Sequence, residues 1–477
     1  MAKAIDSKHD DDLLDEISKA VGAKGLVTDP KEMAPHLEEL RGRYRGAALA
    51  LVKPGTTEEV AAVVGLAAAA QVPIVPQGGN TGLVGGQVPP EHGHALLVNL
   101  ARMNRIRDLD PVDNTITVEA GCVLASVQAA AAEAERLFPL SLAAEGSCQI
   151  GGNLSTNAGG IHVLRYGNMR DLVLGLEVVL PDGRVWDGLR RLRKDNTGYD
   201  LKQLFIGAEG TLGVITAAVL RLFPAPAQKA TAFIGLARVE HALAILERAR
   251  AAAGDQLDCV ELMPRLGLEF TLRHIPDTSD PLDAPHPWYL LLELASAKAG
   301  DHLNETLEAL LAEAYDEGLI ADAALAASAA QAAAFWRLRE GMSEAQKPEG
   351  GSIKHDISVP VSQISAFLAR AIPLVEGMIP GVRPVPFGHL GDGNLHFNLS
   401  QPLGVERQEF LDLWEEINRA VHELVAELGG SISAEHGIGR MKVEELKHFK
   451  SAVELELMKR VKAALDPDNL MNPGKVL

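Results

Sequence analysis

The sequence predicts an α+β chain in two parts. The first mixes strands and helices around glycine-rich loops. The second is an antiparallel sheet with helices on one face. Three observations lead there. Residues 48–86 run strand, helix, strand, glycine loop, an α/β opening. The segment Phe223-Pro-Ala-Pro226 then interrupts the chain, and the composition shifts after it. Beyond it, strand–helix units repeat at a size that suits an antiparallel sheet covered by helices. The expected division is 1–225, 226–425, and a C-terminal helical segment, 426–477, that returns to the first domain.

Taken in order, Asp11 to Val21 places Leu13, Leu14, Ile17 and Val21 at a helical period. Ala48 to Val52 reads as a strand. Thr56-Thr57-Glu58-Glu59 starts a helix with carboxylates in its first turn, running to Ala70. Val72 to Val75 is a short buried strand, Thr115 to Glu119 another, and Val123 to Leu137 an alanine-rich helix. Leu172 to Val179 and Arg184 to Trp186 flank Pro181-Asp182-Gly183, the signature of a hairpin. Val214 to Leu222 is a strand. After the break, Gly235 to Ala253 reads as a strand end and an amphipathic helix, Pro287 to Glu293 as a strand, and Leu303 to Glu317 as a helix. Leu319 to Phe335, alanine-rich and nearly low-complexity, reads as helix. A last helix begins at Ser451 and stops at Asp466-Pro467.

Bulk properties narrow the function. A net charge of −19 argues against a nucleic acid partner, which needs a basic footprint. A local Arg/Lys cluster can still receive a small anion. Three cysteines make no disulfide framework and fit a reducing compartment. The acidic opening MAKAIDSKHDDDLLDEI has no apolar core and does not read as a signal peptide. No apolar run reaches the roughly 18–20 residues of a membrane span. The expected location is cytoplasmic, with peripheral attachment at the inner face of the membrane left open.

Three glycine-rich runs carry the first functional signal. Pro76 to Gly86 reads PQGGNTGLVGG, Gly146 to Gly160 reads GSCQIGGNLSTNAGG, and Gly207 to Gly213 reads GAEGTLG. Such runs let backbone N–H groups approach phosphate oxygens closely. The first lacks both G-K-[ST] and the full G-x-G-x-x-G, which excludes a P-loop and a Rossmann turn. Three loops of this kind point to one extended, phosphate-bearing cofactor.

These runs, with TGYDLKQLFIGAEGTLGVIT and the terminal MNPGK, resemble the vanillyl-alcohol-oxidase (PCMH) type of FAD flavoprotein. Within that type the chain resembles the FAD-linked 2-hydroxyacid dehydrogenases: D-2-hydroxyglutarate dehydrogenase, D-lactate dehydrogenase and the glycolate oxidase flavin subunit. The resemblance implies a two-part FAD-binding domain and a substrate (cap) domain. It assigns FAD contacts to Pro76, Gly78, Gly79, Asn80, Thr81, Gly82, Leu83, Gly146, Ser147, Ile150, Gly151, Gly152, Ser155, Thr156, Asn157, Gly159, Gly160, Tyr166, Glu209, Gly210, Gly213, Val214, Ile215 and Asn472. His162 and Cys148 match no flavin-attachment motif, so the FAD is expected to be non-covalent.

The second signal is FGHLGDGNLHFNLS at 387–400. Strand alternation puts His396 and Asn398 on one face and Leu395, Phe397 and Leu399 on the other, with His389 on the loop before. Ser433-Ala-Glu435-His436-Gly437 adds a carboxylate and another imidazole. Two His and one Glu suit zinc, and also manganese or iron; packed structural histidines are the alternative. The resemblance makes His389, His396 and Glu435 the ligands of a divalent metal, zinc first, and His436 the general base. A third group is Arg339 and Ser343, four apart on a helix, with Lys354 beyond. The resemblance assigns Arg339, Ser343, Lys354 and Asn398 to the substrate. His355 stands where the resembling dehydrogenases carry Tyr, which leaves the identity of the acid open.

The expected activity is oxidation of a D-2-hydroxyacid, D-2-hydroxyglutarate first, by hydride transfer to FAD. D-lactate is the alternative substrate, and a glycolate-oxidase-type subunit of a larger complex the alternative context. Expected partners are the small 2-hydroxyacid and an electron acceptor, which would be an electron-transfer flavoprotein, a quinone or a cytochrome. Homodimerisation is left open.

Overall fold

The computed structural model describes residues 7–477. The first six residues of the acidic opening lie outside them. The chain forms two compact units. One comprises the chain up to Gly160, then Gly167–Ala225 and Glu435–Leu477; the other comprises Ile161–Tyr166 and Pro226–Ala434.

The first unit holds two main sheets. In a four-stranded sheet the order is Leu26–Val27, Ala50–Val52, Leu96–Asn99, Ile74–Gln77, and the last three run parallel. Helix Thr57–Ala70 makes the crossover. Its N-cap Thr56 accepts from the Glu59 N–H, and it closes at Gln71 in the left-handed region. Its Val60, Val63, Val64 and Ala67 meet Ala50, Val52, Leu96 and Val98, with Leu13, Ile17 and Val21 of helix Ser7–Val21 packed alongside. A five-stranded antiparallel sheet follows, ordered Ile106–Asp110, Thr115–Glu119, Val214–Arg221, Val173–Val179, Val185–Gly188. The helix expected to reach Leu137 runs only over Leu124–Glu133. Glu135 turns to φ 57°, and Arg136–Leu137 pairs instead with Phe223–Pro224.

The second unit is one seven-stranded sheet, antiparallel throughout. Its order is Asp322–Leu325, Gln228–Leu236, Trp288–Ser296, Leu257–Pro264, Arg383–His389, Asn394–Ser400, Ser352–Ser358. Helices Val239–Ala253, Leu303–Asp316, Ile364–Met378 and Trp414–Glu427 bury one face of it. Leu395, Phe397 and Leu399 point into that core, as alternation requires. The opposite face carries a smaller cluster, Phe233, Met263, Tyr289, Val385 and Phe387 under Phe335, Leu338 and Met342.

Two helical expectations change here. Leu319 to Phe335 is not one helix: Asp322–Leu325 is the edge strand, and helix Ala329–Glu340 starts at the Ser328 cap. Alanine carries no apolar period, so the sequence could not mark the switch. His422, which the sequence alone reads as a solvated or capping histidine on a helix, is 2% exposed. It shares the inner face of its helix with Ile417, Val421 and Val425.

Candidate active site

Within the first unit the three glycine runs meet. Strand Ile74–Gln77 delivers the first, and Asn99 Nδ2 holds its start by donating to the Gly78 carbonyl at 3.0 Å. A Cβ at Gly79 would collide with the Ser147 carbonyl oxygen, so the first and second runs touch backbone to backbone. The third run is tied to the second by Gly207 N–H to Leu154 O at 2.9 Å and Glu209 N–H to Ser155 O at 2.8 Å. Asn472 reaches the same place, its Nδ2 donating to Gly86 O at 3.0 Å and Glu209 O at 2.8 Å.

These residues fit a flavin dinucleotide. A Cβ at Gly146 or Gly152 would meet no atom within 4 Å, so the second run leaves open space beside its backbone. Among the described residues, buried oxygens of Asn80, Gln149 and Asn153 have no hydrogen-bond partner, leaving acceptors for ligand N–H and O–H groups. The unit also contains Glu435 and His436. Glu435 Oε1 accepts the Gly160 N–H at 2.5 Å.

In the second unit, one sheet face gathers the remaining groups. Cross-strand register sets Lys354 opposite Asn398, Asp356 opposite His396, and Phe387 opposite His396 on the other side. The His389 and His396 rings meet edge to face, centroids 5.5 Å apart. His389 Nδ1 lies 2.6 Å from Glu261 Oε1. A carboxylate acceptor there puts the proton on Nδ1, so Nε2 carries the lone pair that a metal requires. The two histidines therefore fit a divalent cation.

The other oxygen of Glu261 accepts from Arg339 Nε at 2.6 Å, and the Arg339 guanidinium lies 4.8 Å over the Phe387 ring. Burial pushes the Glu261 carboxyl up, but the charges of Arg339 and His389 outweigh it and hold it at about 2. Asn398 Nδ2 donates to Gln346 Oε1 at 2.8 Å. The helix bearing Arg339 ends at Glu340, and Ser343 sits on the following short helix Met342–Ala345. Arg339 is buried there and Ser343 exposed. Tyr166 belongs to this unit, under the Arg165 guanidinium at 5.0 Å.

His355 is on the other face. Register pairs it with Phe397, its Nδ1 lies 2.7 Å from Phe397 O, and it is 2% exposed. Its difference from the expected Tyr is a core substitution, remote from the face that carries Lys354.

Residues 48–188 match a family described as "FAD binding domain", and residues 225–476 one described as "FAD linked oxidases, C-terminal domain". The chain belongs to the FAD-linked oxidase family. It is an enzyme of the FAD-linked 2-hydroxyacid dehydrogenase group, and FAD is its cofactor. It is 39% identical to D-2-hydroxyglutarate dehydrogenase of Xanthomonas citri pv. viticola, covering 96% of each chain. It is 38% identical to a probable mitochondrial D-2-hydroxyglutarate dehydrogenase of Oryza sativa subsp. indica, over 96% of this chain and 80% of the relative. The fold is that of p-cresol methylhydroxylase, solved with substrate bound: TM-score 0.79 at 16% identity, over 100% of this chain and 98% of that one. Among the described residues no helix is long and apolar enough to cross a membrane.

Sequence reasoning missed Glu261 and Gln346. A lone Glu inside the buried strand LDCVELMP was the one available signal for the first, since a carboxylate in such a strand needs a partner. Gln346 had none.

Proposed function

We propose that this chain oxidises D-2-hydroxyglutarate to the 2-keto acid. The observation that carries the reading is Arg339: buried, fixed through Nε by Glu261, and stacked on Phe387. A guanidinium held at Nε presents its two terminal nitrogens as a fork for a carboxylate. Lys354 and Asn398 lie side by side on the same sheet face and supply a point charge and an amide donor. A substrate with a second carboxylate uses this cluster; D-lactate, with one, does not.

The sequence resemblance makes His389, His396 and Glu435 the ligands of a divalent metal, with zinc the favoured ion. Bound non-covalently, FAD supplies the two-electron acceptor, and the metal supplies Lewis acidity toward the substrate hydroxyl. The protein's own part is distributed. Glu261 fixes the His389 tautomer, Arg339 and Lys354 hold the distal carboxylate, and His436 takes the hydroxyl proton. Turnover would need an external electron acceptor to take the two electrons onward.

The test is a panel of D- and L-2-hydroxyacids with an artificial electron acceptor. D-2-hydroxyglutarate should give the highest kcat/KM. A preference for D-lactate would replace the substrate assignment while leaving the reaction class intact.

A further inference from the structure

We infer that Glu209 is a positioning residue for His436: its carboxylate clamps the backbone immediately after the base and so fixes where the imidazole stands. The inference rests on the reading of His436 as the base. Oε1 of Glu209 accepts the Ile438 N–H at 2.7 Å, and Oε2 accepts the Gly439 N–H at 2.8 Å. These amides are two and three residues beyond His436. The residue between, Gly437, has φ 82°, and a Cβ there would come within 2.8 Å of Glu209 Oε1. The carboxylate thus occupies the space on that side of the loop, which is why glycine follows the base.

Glu209 is itself rigidly held. It is 8% exposed and sits at φ 52°. Its N–H donates to Ser155 O, and its carbonyl accepts from Asn472 Nδ2, both at 2.8 Å. Beyond the clamp, the Arg440 and Met441 N–H groups both donate to Val84 O, at 2.9 and 3.1 Å. Before His436, Glu435 is tied to Gly160. The base therefore stands on a strap fastened at both ends to the glycine runs.

Two adjacent amide donors call for a side chain that offers two acceptor atoms and no donor, which at this length only Glu provides. The fit is held against a cost. Burial pushes the Glu209 carboxyl up to about 7, and the two amides with Lys442 and Lys475 only partly offset it. A carboxylate kept in a buried position at that cost is explained by the loop it holds.

The experiment compares Glu209→Gln with the parent flavoprotein in three measurements: amide hydrogen exchange over 436–442, flavin content, and kcat and KM. In Glu209→Gln one acceptor becomes an NH2 group facing an N–H. Exchange at Ile438 and Gly439 should quicken at least about tenfold. kcat should fall by about ten- to hundredfold, the factor of one charge-assisted hydrogen bond, with KM and flavin content unchanged. Glu209→Asp, which keeps the charge but retracts it, should show the same pattern more weakly, and it serves where the Gln variant fails to fold. Parental protection of Ile438 and Gly439 would overturn the inference. So would faster exchange with an unchanged kcat, or activity lost in step with flavin. His436→Ala is run alongside. If it keeps turnover, the assignment of the base fails, while the exchange data still read the clamp on their own.

Discussion

Breaking the Arg339–Glu261 pair should cost far more than a surface ion pair, and the cost should be recoverable. Both partners are buried, Glu261 fully and Arg339 to 6% exposure, and they meet at 2.6 Å. Removing one partner of such a pair leaves an uncompensated buried charge, worth about 3–5 kcal/mol. Arg339→Met leaves Glu261 with only the His389 imidazole at 2.6 Å. Glu261→Gln leaves the Arg339 cation against Phe387. At roughly 2–4 °C per kcal/mol, each single variant should melt roughly 6–20 °C below the parent. The double variant removes both charges and should recover about 2 kcal/mol or more of the summed losses. Thermal melts followed by circular dichroism of the flavin-loaded proteins read this directly. Losses that add within about 0.5 kcal/mol would mean the two charges do not share an environment, and the argument for a fixed guanidinium fork would fall. Arg339→Met also tests the substrate. Because Glu261 orients His389, turnover of every 2-hydroxyacid should drop. Beyond that shared loss, kcat/KM for D-2-hydroxyglutarate should drop a further ten- to hundredfold, about the value of the distal carboxylate's hydrogen bonds. Equal losses for D-2-hydroxyglutarate and D-lactate would make Arg339 a structural partner of Glu261 and nothing more.

Three further outcomes are expected. His396→Ala should abolish turnover and leave the flavin absorbance intact; activity that survives both this change and EDTA would remove the metal from the account. Gly79→Ala should yield protein without flavin, because the new methyl group meets the Ser147 carbonyl, and heat or acid treatment of the parent should release FAD into the supernatant; flavin that stays with the precipitated chain would refute non-covalent binding. His355→Tyr should change stability by about 1–3 kcal/mol through overpacking but shift the preference between D-2-hydroxyglutarate and D-lactate less than twofold; a larger shift would place His355 at the substrate after all.

How far the sequence could be read depended on whether side chains carried a period. Leu395, Phe397 and Leu399 alternate strictly, so the orientation of His396 and Asn398 was legible before any coordinate. The glycine runs were legible by composition, since they combine many glycines with small hydroxyl and amide side chains. The alanines of 319–335 carry no period, and there a strand and a helix hid inside one expected helix. Arg339 was recognised, but its charge had been matched to the substrate alone. Its partner Glu261 lies 78 residues away on another strand, a pairing that only the sheet order creates. Glu209 shows the same limit. Its run read as cofactor loop, while its carboxylate turns to residues 229 and 230 positions further along the chain. His355 looked decisive next to Lys354, yet adjacent strand residues face opposite ways.

The central claim is that bound flavin takes its electrons from D-2-hydroxyglutarate. It is tested most directly by mixing the purified flavoprotein with that acid in the absence of oxygen and any acceptor, and following the flavin absorbance near its visible maximum. The account predicts rapid bleaching with D-2-hydroxyglutarate, slower bleaching with D-lactate and none with the L-enantiomers. Flavin that stays oxidised in D-2-hydroxyglutarate but bleaches with another acid would contradict it.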